Sequence, residues 1–218
     1  MTFNVDKCVF ISTDTTGVNS DDELLGITLI NANNEIVYKN LVRPVYKTSW
    51  LEAEEIHLIC PGDIKIYGIS TEELELDLLN VLKDYSHIIM YNADFHQKFI
   101  PKASITNQNI ICAMQWSLAY INNHPEYSGA STFLKLPVLV DLLGIELYQE
   151  KLYHSYFKNS KTSAQDILNT DILNTDAEVF INSTSKCLAT RLVWLEMIKN
   201  HHKLEGDIQS ELQKYFFR

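Results

Sequence analysis

The opening of the chain constrains its fold most. Residues 7–13 form a short apolar, β-prone run, which breaks at Asp14-Thr15-Thr16-Gly17, where small polar residues and glycine favour a turn. Two further strand-like runs, residues 24–32 and 35–43, are joined through Asn-Ala-Asn-Asn, polar residues that tolerate the turn conformations of a hairpin. Pro44 ends the third run. Three consecutive strands joined by tight turns predict an antiparallel opening to the fold.

The pattern then alternates. Ser49-Trp-Leu-Glu52 has the spacing of a capping box and predicts a short helix to residue 58. Ser70 and Thr71 precede Glu72, Glu73 and the periodic Leu74, Leu78, Leu79 and Leu82, an amphipathic helix to about residue 85. A short buried strand is predicted at 87–90, a helical stretch from 92 to 100 closed by Pro101, and a strand at 110–112. Helices at about 114–122 and 132–143 follow, the latter ending at Gly144.

Residues 145–176 are polar and contain a perfect tandem pentapeptide, Ile-Leu-Asn-Thr-Asp at 167–171 and again at 172–176. A period of five suits neither helix nor strand, so this region reads as a surface insertion. A long helix over 177–200 and a last one over 204–217 complete the chain. Three strands, then alternating helices and strands, then helices alone predict an α/β fold with a mixed sheet. The expected organisation is one domain over 1–200, inserted at about 146–176, with a C-terminal helix at 201–218 packed on it.

Composition narrows the function. The 218 residues carry 28 acidic and 18 basic side chains, a net charge of -10. Binding nucleic acid through bulk positive charge is disfavoured, because that affinity comes from Lys and Arg displacing counterions. Cys8, Cys60, Cys112 and Cys187 form no CxxC pair and read as free thiols in a reducing compartment. No apolar signal core starts the chain, and no stretch approaches the roughly 18 apolar residues of a membrane span. A soluble, cytoplasmic protein without a membrane partner is expected.

The order of segments resembles the DnaQ-like 3′–5′ exonucleases of the DEDDh type, in the ribonuclease H-like superfamily. The resemblance is carried by VFISTDTTGV (9–18), NLVRPV (40–45), EAEEIH (52–57), IIMYNADFHQKFI (88–100) and LPVLVDLLGI (136–145), with ICAM (111–114) beside them. It implies a ribonuclease H-like mixed sheet, three antiparallel strands followed by parallel ones, flanked by helices. It also implies two divalent ions, Mg²⁺ or Mn²⁺, held about 4 Å apart by four acidic side chains, with a His as general base.

Carried over residue by residue, that site is degenerate. Ser12 stands where the first motif has its bridging Asp, and Asp14 is a shortened stand-in for the Glu. In the second motif, Asn92-Ala93-Asp94-Phe95-His96, His96 replaces the metal-linked Asp, while Asp94 falls at a variable position. The third motif aligns best with Lys186 at the last Asp and Ile181 at the general base. An alternative register offers Asp176, with Asp171 at the base position. By the same resemblance Thr15, Thr16 and Asn92 would contact substrate, and Asp14 and His96 would be the ligands of any remaining metal.

At most two of four acidic ligands remain, with no general base. The reading is a pseudo-exonuclease without cofactor, a protein-interaction or regulatory module able to hold nucleic-acid ends. The alternative is a weak or rearranged metal-dependent 3′–5′ exonuclease on DNA or RNA, using Asp14, His96 and Asp176. Other candidates carry bland readings. His201-His202 faces solvent, since adjacent helical residues diverge. His154 lies in the insertion and is a weak candidate to replace the lost base. Tyr148, Tyr153, Tyr156 and Phe157 are expected to pack the insertion on the core, the alternative being an aromatic surface for stacking bases or for a partner.

Overall fold

The computed structural model describes residues 4–122, 134–145 and 183–201. After a 3-10 turn at Val5–Lys7 come the strands β1 (Cys8–Thr15), β2 (Leu24–Asn31) and β3 (Ile36–Leu41). The helices α1 (Leu51–His57), α2 (Pro61–Tyr67) and α3 (Thr71–Leu82) lead to β4 (His87–Met90). Next are α4 (Ala93–His96), α5 (Lys102–Ile105), β5 (Asn109–Cys112) and α6 (Ala113–Asn122). Helices α7 (Leu136–Leu142) and α8 (Ser183–His201) complete the described residues.

The sheet runs β3-β2-β1-β4-β5. β1 pairs antiparallel with β2 and β2 with β3, while β1–β4 and β4–β5 are parallel. This is the mixed sheet expected from the sequence, with β1 in the middle. Alternation along β1 sends side chains to both faces. Cys8 and Phe10 join a core with Trp116, Cys187, Val193 and Trp194 of α6 and α8. Val9 and Ile11 join the opposite core with Leu74, Leu78 and Leu82 of α3.

Local expectations are met unevenly. Ser70 caps α3 as a full capping box: the Glu73 amide donates to Ser70 Oγ at 3.1 Å, and the Ser70 amide donates to Glu73 at 2.8 Å. Gly144, at φ +63°, follows α7 as expected. The capping box at Ser49 does not form. Trp50 precedes α1 without a side-chain cap, its buried indole donating to the Ile59 carbonyl at 2.7 Å. A tertiary anchor, not a local cap, therefore sets where α1 starts.

The helix expected over 92–100 is a single turn, Ala93–His96, and Asn92 before it takes a left-handed conformation (φ 62°) that turns the chain sharply out of β4. α7 begins at Leu136, not 132, with a proline in its first turn, where a missing N–H costs nothing. α2 and α5 were not anticipated; α2 also starts on a proline. All four cysteines are free thiols, Cys8 and Cys187 buried. Among the described residues no helix is long and apolar enough to cross a membrane.

The tandem repeat, the insertion with its aromatic residues and His154, Asp171, Asp176, Ile181, His202 and the expected last helix all lie outside the described residues.

Candidate functional site

The C-terminal half of β1 carries the site. Ser12, Thr13, Asp14 and Thr15 are all buried. Following Phe10 on the same face of the sheet, Ser12 and Asp14 point towards α8. Asp14 lies opposite Gly26 of β2, where a Cβ would come within 3.5 Å of Asp14 Oδ2 and 3.3 Å of Ile59 Cδ1. A Cβ there would press on Ile59 and lie in ordinary contact with the carboxylate. The ladder shifts register between Asp14 and Thr15, an irregularity of the kind that re-aims side chains at sites.

Both oxygens of Asp14 are engaged by α8. The Ser183 amide donates to Oδ2 at 2.7 Å, and Lys186 Nζ donates to Oδ1 at 3.2 Å. A buried carboxylate of β1 thus accepts from a backbone amide of α8, and the Lys186 ammonium, three residues beyond Ser183, balances its charge. Beside them, Thr28 Oγ1 lies 3.0 Å from both Ser183 Oγ and Thr184 Oγ1. Ser12, opposite Thr28 in the ladder, has a buried Oγ with no hydrogen-bond partner among the described residues.

Two histidines flank this pair. His96 is buried, and its Nδ1 lies 2.7 Å from Thr13 Oγ1. Burial, then the Lys186 ammonium, push its pKa down to about 4, against the opposing pull of Asp14 and the Tyr91 backbone. His57 accepts from the Ile59 amide at Nδ1 (3.1 Å), which leaves the proton on Nε2, facing the Thr15 carbonyl at 3.2 Å. Burial lowers its pKa too, with Asp14 opposing. Both rings are neutral near pH 7, so neither adds a positive charge to the Asp14–Lys186 pair.

The structure therefore brings Asp14, Lys186 and His96 together, with Ser12 on the same strand. Of the three residues expected to contact substrate, two have hydroxyls that donate within the chain. Thr15 Oγ1 donates to the Gly17 carbonyl at 2.6 Å and Thr16 Oγ1 to Asp22 at 2.8 Å, while Asn92 forms the turn that leads into α4. Sequence reasoning missed His57, Gly26, Thr28 and Ser183. A glycine inside a strand run was the one legible signal among them, since it often marks a close approach.

These residues do not suit a pair of hard divalent ions, which need several oxygen ligands carrying negative charge. Ser12 is neutral, and Asp14 already accepts from two N–H donors. His96 is tied to Thr13, and Lys186 brings a positive charge to the carboxylate such ions would share. Among the described residues no three His, Cys, Asp or Glu side chains gather into a metal-binding group.

No protein-family model matches the chain. An uncharacterized exonuclease of Escherichia phage 186 is 26% identical over 136 residues, 57% of this chain and 69% of that protein. Exonuclease X, solved in complex with 5′-overhanging duplex DNA, is similar with a TM-score of 0.56 at 15% identity, over 88% of this chain and 92% of its own. E. coli exonuclease I, solved with a dT13 oligonucleotide, gives a TM-score of 0.60 at 15% identity over 95% of this chain. A zinc-bound form of the same enzyme with single-stranded DNA gives 0.57 at 12% identity. This chain spans only 42% of the dT13-bound exonuclease I chain. The order of the strands, the polar end of β1 and these likenesses agree: in fold, the chain is a ribonuclease H-like domain resembling the DnaQ-like exonucleases.

Proposed function

We propose that this chain is an exonuclease-like, nucleic-acid-binding domain that does not cleave: a pseudo-exonuclease that holds a nucleic-acid end and acts as a regulatory module recruited by a protein partner. The observation that carries the reading is the pair of Lys186 and Asp14. Two-metal hydrolysis needs clustered anions to hold the ions that orient the attacking water and stabilise the leaving oxygen. Here the carboxylate that would begin such a cluster is held by a backbone amide and an ammonium of the same helix.

Support for nucleic acid as the ligand comes from the neighbours of like fold, exonuclease X and exonuclease I, solved with DNA. Support for a protein partner is the net charge of -10, which disfavours recruitment to nucleic acid by charge alone. The alternative, a rearranged exonuclease using Asp14 and His96, is weakened by the engagement of both side chains within the fold.

The test is direct. The purified chain is incubated with end-labelled single-stranded DNA and RNA in Mg²⁺ or Mn²⁺, and no shortening is expected. Shortening that disappears in Asp14→Ala would overturn the non-cleaving reading.

A further inference from the structure

The Lys186 ammonium has capacity that the ion pair leaves unused. Its side chain is 30% exposed, while that of Asp14 is 1% exposed. An ammonium carries three N–H donors. One reaches Asp14 Oδ1, and among the described residues no other hydrogen bond or ion pair engages the group. Lys186 is therefore a cation anchored on its buried side and open on the other.

Its surroundings decide what it can take. A cluster of bare carboxylates repels a phosphodiester unless metal ions lie between them. Here the buried Asp14 carboxylate is balanced by Lys186 and accepts from the Ser183 amide. Between these two described residues the carboxylate's charge is balanced, so the pair itself presents no net negative charge to a phosphate. The Thr15 and Thr16 hydroxyls, both donating within the chain, offer it no competing donor.

We propose that Lys186 holds a phosphate of a nucleic-acid strand end directly, so that this domain binds the strand without divalent metal. The inference rests on the non-cleaving, end-binding reading above and supplies its chemical means. Asp14 is then a positioning residue: it holds the lysine stem so that the free N–H donors face solvent.

The experiment is fluorescence anisotropy of a 5′-labelled oligothymidylate with a free 3′ end, titrated with the full chain in EDTA and in Mg²⁺. The expected result, at matched ionic strength, is binding in EDTA at least as tight as in Mg²⁺. Lys186→Gln keeps a side-chain amide for Asp14 but removes the charge; it should weaken binding about tenfold, the size of one charge-assisted hydrogen bond. It should also reduce the salt slope by about 0.7, one phosphate contact on a single strand. Lys186→Arg, which keeps the charge, should retain EDTA-resistant binding. Melting temperatures establish that the variants are folded, and the EDTA comparison needs no variant.

Binding that vanishes in EDTA overturns the proposal. So does a folded Lys186→Gln variant with parental affinity and slope, which would leave the end-binding reading standing. No binding of the oligonucleotide by the unaltered chain in either buffer would overturn both.

Discussion

One strand of this protein has two interiors. All eight residues of β1 are buried, yet Cys8 to Ile11 are apolar and Ser12 to Thr15 are polar. The first half needs only shape. Phe10 is covered from α8, and Val9 and Ile11 from α3, so its stability comes from non-directional burial and packing. The second half needs partners, because a polar group taken out of water without a hydrogen bond is costly. Thr13 finds His96, Asp14 finds Ser183 and Lys186, and Thr15 finds the Gly17 carbonyl. Burial thus does not separate scaffold from site here. What separates them is whether each side chain has to be answered individually, and that demand begins at the C-terminal end of the central strand, where open α/β sheets place their ligand crevices.

If the contrast holds, the two halves fail in different ways. The largest effect is expected in the apolar half. Phe10→Ala removes a fully buried ring and leaves a cavity between the sheet and α8, at a cost of about 4 kcal/mol. Urea denaturation would show this as a lower midpoint with an unchanged slope, and the loss should be the same at pH 5 and pH 8. A loss below about 1 kcal/mol would mean that α8 is not packed on this face.

The polar half should instead respond to pH. His96 is neutral in the folded chain, with a pKa of about 4, and titrates near 6.5 when unfolded. Its folded pKa is the lower one. The stability linked to it is therefore complete above pH 6.5 and is lost as pH falls from there towards 4. The slope is about 1.4 kcal/mol per pH unit and the total on the order of 3 kcal/mol. The pKa values of His57 and His87 are lowered as well and add in the same direction, so the diagnostic quantity is the difference between the parent and His96→Gln. Denaturation midpoints from pH 7 to pH 4 should fall less steeply in the variant. Parallel curves would remove His96 from the buried polar network.

The same division governed what the sequence could reveal. The mixed sheet, three antiparallel strands and then parallel ones, followed from apolar runs, turn residues and the resemblance, and the start of α3 at Ser70 and Thr71 from the acidic residues and leucine period behind them. Where a local signal competed with a distant contact, the contact won. Ser49 offers a cap, but the buried indole of Trp50 sets the start of α1. At the site, the resemblance located Ser12, Asp14, His96 and Lys186, and the structure brings the last three together. It did not reveal that a backbone amide of α8 would occupy Asp14, a contact spanning 169 residues, nor that both histidine rings would be taken up by β1. Such pairings depend on how α8 and the helices after β3 dock on the sheet. No local periodicity encodes that docking.

The smallest expected effect tests the contrast where it is weakest. Ser12 is the one residue in the polar half of β1 whose side chain goes unanswered: its Oγ is buried and unpartnered among the described residues, although Thr28 and its two hydroxyl neighbours lie across the ladder. If each polar side chain here must be satisfied, this one lowers stability, and removing it should help. Ser12→Ala deletes a single oxygen, leaves only a small gap and relieves an uncompensated desolvation; a gain of about 1 kcal/mol is expected. Ser12→Asp has the opposite expected sign, because it sets a second carboxylate on the same face of β1 as Asp14 with only Lys186 to balance the two. Thermal melts of the two variants should therefore fall on either side of the parent. A destabilised Ser12→Ala would show that this hydroxyl is satisfied in solution by a bound water, and the polar half of β1 would then be satisfied throughout.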